Sequence, residues 1–251
     1  MTTKFIWHFG QEAKASKIIR KALSKVTRQT KLLQKLALNS SFFLSKKGSY
    51  YFSKYFKGLA ALKNLSLRFR DPFGFRSEES DPYEIFHTGF SQLSEALKRF
   101  SSLESLDLCF RDCFYVEDEA LQSLAKGFRT HISLKTIAFS FSGCDNITDL
   151  GIFSLCKGLK NLVFLQKLTL NFSECFSTTN EGLLQMQKIL KKLKNLQEVN
   201  LDLCYWTGVD LHSVHSMTQD LGTLPSFQRM TIRTHTFVCY FKEAGKPLRF
   251  I

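Results

Sequence analysis

The sequence predicts an α/β solenoid in which short parallel strands alternate with helices. The first observation is a pattern of the form LxxLxL that recurs at Leu33, Leu62, Leu103, Leu134, Leu165, Leu196 and Phe227. From Leu103 onward these positions are evenly spaced, and we call that constant step the repeat period. The second observation is that apolar residues alternate within each copy, which is typical of a strand with one buried face. The third is a helical pattern after each strand.

The predicted helices follow in order along the chain. They cover Gln11–Arg28, Tyr50–Leu62, Glu84–Phe100, Glu117–Phe128, Asp149–Leu162, Asn180–Leu196 and Asp210–Asp220. Asp149 and Asn180 are the predicted N-caps of their helices. No unit can bury its apolar face alone, so neighbouring units must stack. Because a helix is about 10 Å wide and strands lie about 4.8 Å apart, stacking bends the array with the strands on its inner face.

The repeated motif also carries a family resemblance. The segment LKTIAFSFSGCDNITDLG, from Leu134, resembles the long leucine-rich repeat of the ribonuclease-inhibitor-like class, in its cysteine-bearing form. The phenylalanine-rich units resemble repeats of ciliate type. The likeness covers about residues 33–234, and the last full unit departs from it, with Trp206 in place of the cysteine and one residue fewer before the helix. The resemblance implies a horseshoe of about seven repeats, with strands on the concave face and helices on the convex face. It also implies a protein-interaction scaffold without naming a partner.

The repeats divide the chain into three segments. Residues 1–32 are predicted to form a basic N-terminal capping helix, residues 33–234 the repeats, and residues 235–251 a C-terminal cap or tail that includes a small hairpin. The second unit is longer than the others and contains an insertion near residues 70–84. Its prolines, acids and serines indicate a surface loop. This loop is either part of a binding edge or a tolerated insertion.

The positive charge is concentrated at one end of the sequence. The formal net charge is +13, yet residues 1–70 contain 16 Lys and Arg and one acid. We expect the predicted first helix to dock its apolar face on the first unit and to present a basic face. An acidic protein surface, RNA phosphates and an anionic membrane are candidate partners for that face, and simple solvation is the alternative. The basic face consists of Lys14, Lys17, Lys21, Lys25 and Arg28.

The strand face provides a second candidate surface. Residues between the buried leucines point to the concave side, and they are small, polar and mixed in charge. Because no aromatic side chain is predicted there for base stacking, this face favours a protein partner over RNA. Its cations are the remaining predicted partner-binding residues: Arg68, Lys167, Arg229 and Arg233.

The potentially reactive residues have simpler interpretations. Cys113, Cys144 and Cys175 recur at the repeat period and are predicted to pack against neighbouring units. The phenylalanines at positions 69, 110, 141 and 172 are predicted to form a buried spine. His212 and His215 share a helix face without a third ligand, so no metal site is expected. No catalytic motif accompanies them, and neither an enzymatic activity nor a cofactor is predicted.

The same features set the expected location and function. No segment has the composition of a membrane span or of a secretory signal, and the seven cysteines favour a reducing intracellular compartment. The cytoplasm or cytoskeleton is favoured, and a mitochondrial location stays open. The sequence predicts a non-catalytic scaffold or structural subunit that docks an acidic partner through its basic N-terminal quarter. The alternative is an RNA-associated subunit of a ribonucleoprotein particle, such as an organellar ribosome.

Overall fold

The strands of the protein form one open sheet in sequence order. The computed structural model describes residues 4–8, 33–39, 54, 59–69, 82–242 and 249–250, and within them ten strands pair from β1 to β10. Strands β1 to β8 are parallel, whereas β9 and β10 add antiparallel strands at the end of the sheet. The linear order leaves the sheet open and excludes a closed barrel among these strands.

The strand positions reproduce the spacing of the sequence pattern. Strands β2 to β8 each begin shortly after a predicted leading position and at the same point of each unit, so that Lys35 pairs with Asn64 and Asn64 pairs with Ser105. Strands alternating with helices in an open parallel sheet confirm the predicted α/β class. The strands are β1 Lys4–His8, β2 Lys35–Asn39, β3 Asn64–Arg68, β4 Ser105–Cys109, β5 Thr136–Ser140, β6 Lys167–Asn171, β7 Glu198–Asp202, β8 Arg229–Arg233, β9 Val238–Lys242 and β10 Arg249–Phe250.

The sequence pattern did not predict β1. Lys4 pairs with Lys35, which lies one repeat period later, so β1 continues the period of the array inside the segment assigned to a helical cap. Thr2 stands where most later units have leucine, which hides this copy from the LxxLxL pattern. The helix predicted over Gln11–Arg28 lies outside the described residues, as does most of the one predicted over Tyr50–Leu62. The capping role of residues 1–32 therefore stays a prediction.

Helices connect the successive parallel strands from β3 to β8. The first begins at Pro82, slightly before its predicted start at Glu84, because proline is well suited to the first helical position. The end of the predicted insertion is therefore helical, and residues 70–81 lie outside the described part of the chain. The helices are α1 Pro82–Leu97, α2 Asp118–Phe128, α3 Asp149–Leu159, α4 Asn180–Leu190 and α5 Leu211–Gly222.

A hairpin replaces the helix after β8. Thr234 donates its backbone N–H to the carbonyl of Phe237 at 2.9 Å, and its hydroxyl accepts from the N–H of Phe237 at 3.1 Å. The turn reverses the chain so that β9 lies antiparallel to β8, and β10 lies antiparallel to β9. The C-terminal hairpin expected from the sequence is present as these two strands, and it lengthens the sheet.

The core lies between the helices and one face of the sheet. In each of the strands β2 to β8 the second and fourth residues are buried, as Leu106 and Leu108 are in β4. Glycines let the helices approach one another closely. A Cβ at Gly158 of α3 would lie 2.8 Å from the Cβ of Ala125 in α2, closer than two carbon atoms pack. Paired strands lie closer together than packed helices normally do. Small residues such as Gly158 let neighbouring helices approach closely enough to follow the spacing of the strands.

The predicted aromatic spine is confirmed. Phe69 and Phe110 stack with centroids 4.7 Å apart, Phe110 and Phe141 with centroids 5.3 Å apart, and Phe141 and Phe172 with centroids 5.2 Å apart. Their rings are nearly parallel, and all four side chains are buried. Stacked, buried rings stabilise each unit against its neighbour through apolar burial and offset stacking.

A left-handed residue recurs in the turn after each of four strands. Asp112, Gly143, Glu174 and Tyr205 have φ values of 58°, 72°, 60° and 71°. The turn directs the backbone N–H of Asp112 to the carbonyl of Ser142, 2.8 Å away in the next unit. Glycine and short polar residues adopt this conformation at the least cost, so Glu174 and Tyr205 are both unusual at this position, and Tyr205 is the bulkier of the two.

Carboxylates connect the starts of α2 and α3 to the next unit, which corrects the predicted caps. The N-cap residues of α3 and α4 are Thr148 and Thr179, one residue before the predicted Asp149 and Asn180. Asp149 instead accepts hydrogen bonds across the units, from the backbone N–H and the hydroxyl of Thr179 at 2.9 and 2.6 Å and from the N–H of Gly182 at 3.1 Å. The carboxylate of Asp149 therefore binds the start of the helix in the next unit and does not cap its own helix.

The last full unit keeps the repeat period at the start of its helix. Asp210 is the N-cap of α5 and accepts from the N–H of Ser213 at 2.8 Å, and it lies one repeat period after the Thr179 cap. The sequence interpretation that one residue is missing there is therefore wrong. Because Asp210 replaces a threonine, it offers no hydroxyl to the preceding unit. Accordingly Asn180 stands where Asp149 and Asp118 stand earlier, and its buried Oδ1 has no partner among the described residues.

Candidate partner-binding surfaces

One face of the sheet is open within the described residues. The first, third and fifth residues of strands β2 to β8 point away from the helices, and all of them are exposed or half-buried. We call this surface the open sheet face. Parallel sheets are ordinarily covered on both faces, so an uncovered one is a surface that a partner can occupy.

The predicted cations of this face are all present and all paired with carboxylates. Arg68 lies 3.4 Å from Asp107 on the adjacent strand. Arg233 lies 3.7 Å from Asp202. These four side chains are partly or largely exposed, so each pair contributes little to stability.

A more enclosed cluster joins three strands. Glu198 of β7 lies 2.6 Å from Arg229 of β8 and 3.0 Å from Lys167 of β6. Its side chain is only 13% exposed. Hydrogen bonding to Arg229, and then to Lys167, lowers the pKa of Glu198 despite the opposing effect of burial. The predicted residues Lys167 and Arg229 are thus brought together by a carboxylate between them.

A similar cluster was not predicted. Glu104, just before β4, lies 2.9 Å from Lys63 and 3.0 Å from Lys135, which precede β3 and β5. The two lysines lower the pKa of Glu104. Because all three residues occupy equivalent positions one before each strand, aligning the units on their leading leucines would have revealed the cluster.

The face also contains an aromatic residue that the sequence did not predict there. Tyr240 of β9 pairs with Thr231 of β8, which places it among the outward positions, and it is 43% exposed. The sequence missed it because the C-terminal hairpin was interpreted as a cover for the end of the array. The expectation of an open sheet face without aromatic side chains is therefore wrong at its last strands.

The basic N-terminal face is not located by the structure. Lys14, Lys17, Lys21, Lys25 and Arg28 lie outside the described residues. Their role in binding a partner stays a prediction.

The two edges of the array differ strongly in charge. At the edge where strands end and helices begin, the acidic edge comprises residues 110–119, 141–150, 172–181 and 203–212, with nine Asp or Glu and one Arg. At the opposite edge, the basic edge comprises residues 126–135, 157–166, 188–197 and 219–228, with nine Lys or Arg and one Asp. Both sets recur at the repeat period. The near-neutral total of residues 71–251 concealed this separation, which appears when charge is counted by position in the repeat.

The cysteines of the turns are packed in the core. Cys113, Cys144 and Cys175 are buried. The Cys175 thiol lies 3.2 Å from the carbonyl of Phe141 in the preceding unit, and burial raises its pKa to about 12. Trp206 takes the place of the cysteine and donates its indole N–H to the carbonyl of Phe172 at 3.0 Å. The predicted packing role of the column is confirmed, together with the cross-unit hydrogen bond that it makes.

The histidine pair of α5 does not form a metal site with other described residues. His215 lies within 2.9 Å of Gln219 one turn later on α5, through its Nε2 atom. Within the described residues, no group of three or more His, Cys, Asp or Glu is arranged to hold a metal ion. No helix in that part of the chain is long and apolar enough to cross a membrane.

Comparison with known proteins adds little. No family model matches the chain. No curated protein matches it either. A chain in the crystal structure of the Rad7 and Elc1 complex in yeast is similar over 85% of this chain and 81% of that one, with 13% identity and a TM-score of 0.25. A likeness this distant carries no argument about function.

Proposed function

We propose that the protein is a non-catalytic interaction scaffold, a structural subunit that holds other proteins in a larger assembly. Its architecture is proposed to be a leucine-rich-repeat horseshoe of the ribonuclease-inhibitor-like class. The observation that carries the proposal is the open sheet face. Seven consecutive parallel strands present mostly polar side chains on a face that the described helices leave uncovered.

Charge supports an acidic partner for part of this scaffold. The basic N-terminal quarter contains 16 Lys and Arg against one acid. The basic edge adds exposed cations that include Lys160, Lys192 and Lys194. An acidic surface that met these groups would gain long-range attraction and faster association. The cations of the open sheet face contribute less, because carboxylates on adjacent strands already neutralise them.

The proposal is tested by photo-cross-linking in the native complex. A photoreactive amino acid replaces Thr169, which is exposed in the middle of the open sheet face, and a matched control replaces Gln122, exposed on α2. We expect Thr169 to give a discrete protein cross-link that Gln122 does not give, identified by mass spectrometry. Equal labelling from both positions would contradict the proposal.

The same samples test the RNA alternative. RNA cross-linked from Thr169, together with RNA affinity that falls steeply as salt is raised, would favour the ribonucleoprotein function. The scaffold proposal expects no such binding. A control variant that neutralises Lys14, Lys17, Lys21, Lys25 and Arg28 would show whether the N-terminal quarter is responsible for any RNA affinity.

A further inference from the structure

Large apolar side chains are exposed along the acidic edge. Phe176 is 56% exposed, Tyr205 is 46% exposed and Phe114 is 37% exposed, all in turns that follow strands. The rings of Phe176 and Tyr205 lie 5.7 Å apart, and Tyr205 lies 4.5 Å from the ring of His235. Three adjacent units, from Phe176 to His235, thus present a continuous row of rings to solvent, a feature associated with protein contacts.

The fold does not require an aromatic ring at position 205. The equivalent turns use Asp112, Gly143 and Glu174, of which the aspartate and the glycine adopt left-handed backbone readily and none has an aromatic ring. Tyr205 has the same backbone conformation, with φ of 71°, although a bulky residue adopts it at a cost. Its ring lies outside the core, and its ring contacts within the described residues are with the exposed rings of Phe176 and His235. A role at the surface explains why this turn contains a tyrosine.

The carboxylates around the rings exceed what the helices require. Acidic residues in the first turn of a helix interact favourably with the helix dipole, as Asp118 and Glu119 do in α2. That effect is confined to the first turn. Asp112, Asp145 and Glu174 lie instead in the turns between strand and helix. Asp112 lies 3.5 Å from Arg111, and Glu174 is exposed with no ion pair among the described residues.

We propose that the acidic edge is a docking surface for a basic segment of a partner protein, one that combines Lys or Arg with apolar side chains. Carboxylates attract its cations, and the rings of Phe176 and Tyr205 accept its apolar or cationic side chains. The chain already contains such a contact, since Lys157 Nζ lies 4.1 Å from the ring centroid of Phe153. Nucleic acid is repelled by this edge, which contains nine acids and one Arg. The surface is separate from the open sheet face and goes beyond the proposed function.

Selection from a library of random short peptides displayed on phage tests the proposal. The full chain is the bait, and enriched peptides are resynthesised for fluorescence anisotropy. Among the enriched peptides we expect a class rich in Lys or Arg with interspersed aromatic or aliphatic residues. The double variant Phe176→Ser with Tyr205→Asn should weaken their binding by more than about tenfold, because exposed aromatic anchors dominate such contacts. Asn tolerates left-handed backbone, so the variant should fold.

Two further variants separate this surface from the rest of the molecule. Glu174→Gln removes one carboxylate and should weaken binding less than the double variant and mainly at low salt. Phe164→Ser, which removes a 52% exposed ring from the basic edge, is the matched control and should leave affinity unchanged. Failure to enrich any basic peptide, or equal losses in the double variant and the control, would overturn the proposal.

A second copy of the chain is the competing occupant. Sedimentation velocity over a range of concentrations, with the full chain and the double variant, distinguishes it from a foreign partner. We expect the same sedimentation for both proteins. Self-association that disappears in the double variant would show that the edge binds another copy and would overturn the proposal. The sheet-face cross-link from Thr169 is unaffected by either result, so the two proposals fail separately.

Discussion

The two edges of the array contain equal and opposite charge but use it differently. At the acidic edge, Asp118, Asp149 and Asp210 accept hydrogen bonds from backbone N–H groups of partly buried turns or helix starts. At the basic edge, all nine cations are exposed. Within the described residues only Lys135 and Lys191 of those nine form ion pairs, with Glu104 and Asp220.

Some charged groups of the acidic edge are therefore needed for the fold, whereas those of the basic edge are available to bind a partner. The carboxylates that bond to the next unit are part of the fold and cannot be removed without loss of stability. Within the described residues, none of these nine cationic side chains hydrogen-bonds to a backbone group, so we expect their removal to change stability little. The cations of the basic edge can therefore be substituted without disturbing the fold, whereas some carboxylates of the acidic edge cannot. The predictions below test that distinction.

The largest loss of stability is expected from Asp149→Ala. The change leaves the N–H and the hydroxyl of Thr179 without their acceptor, whereas the N–H of Gly182 keeps the carbonyl of Thr179 at 3.1 Å, and it should lower the free energy of unfolding by about 3 kcal/mol. Lys160→Ala, an exposed cation in the same unit, is the matched control and should change it by no more than about 0.5 kcal/mol. Urea unfolding of the two variants measures both. Equal losses of stability in Asp149→Ala and Lys160→Ala would contradict a structural role that is confined to the acidic edge.

A smaller effect is expected from Trp206→Phe. Phenylalanine keeps an aromatic ring in the buried column but cannot donate to the carbonyl of Phe172, which should cost about 1 to 2 kcal/mol. Tyr205→Asn, one residue earlier and exposed, should be near neutral in the same unfolding assay. A Tyr205→Asn protein that lost as much stability as Trp206→Phe would mean that the Tyr205 ring is structural, against the docking proposal.

The smallest expected effect is the pH-dependent contribution of Glu198, on the open sheet face, to the free energy of unfolding. Arg229 and Lys167 lower the pKa of Glu198 in the folded protein below the value of about 4.3 expected when unfolded. The stabilising contribution is therefore present above about pH 4.3 and is lost as pH falls through the lower folded value. Glu198→Gln should be less stable than the natural chain at neutral pH, and the difference should shrink in acid. A difference that is constant across the acid range would contradict this assignment.

The periodic part of the fold could be predicted from the sequence. Leucines at fixed positions place β2 to β8, and the phenylalanines that follow them form the buried stack. Apolar periodicity defines these elements because burial is the main driving force and each unit repeats the same environment. β1 was missed because Thr2 breaks the pattern, although its strand keeps the spacing.

The surfaces were harder to predict, because they depend on which residues meet across units. The ion pair of Arg233 with Asp202 joins residues one repeat period apart, and nothing along the local sequence indicates it. The same holds for Asp149, whose proximity to a helix start favoured the wrong cap. Charge by repeat position would have revealed the two edges, and the exposure of Tyr205 required the geometry of the turn.

The most direct test measures two probes on two variants. The probes are an acidic peptide of alternating Glu and Ser and a basic aromatic peptide selected as above. The first variant is the double variant of the acidic edge, Phe176→Ser with Tyr205→Asn. The second is a triple variant of the basic edge, in which Lys191, Lys192 and Lys194 are each replaced by Gln. We predict that the first loses only the basic peptide, by more than about tenfold, and that the second weakens only the acidic peptide, by a smaller factor because the N-terminal quarter keeps its own cations. Equal losses of both peptides in both variants would contradict two separate docking edges.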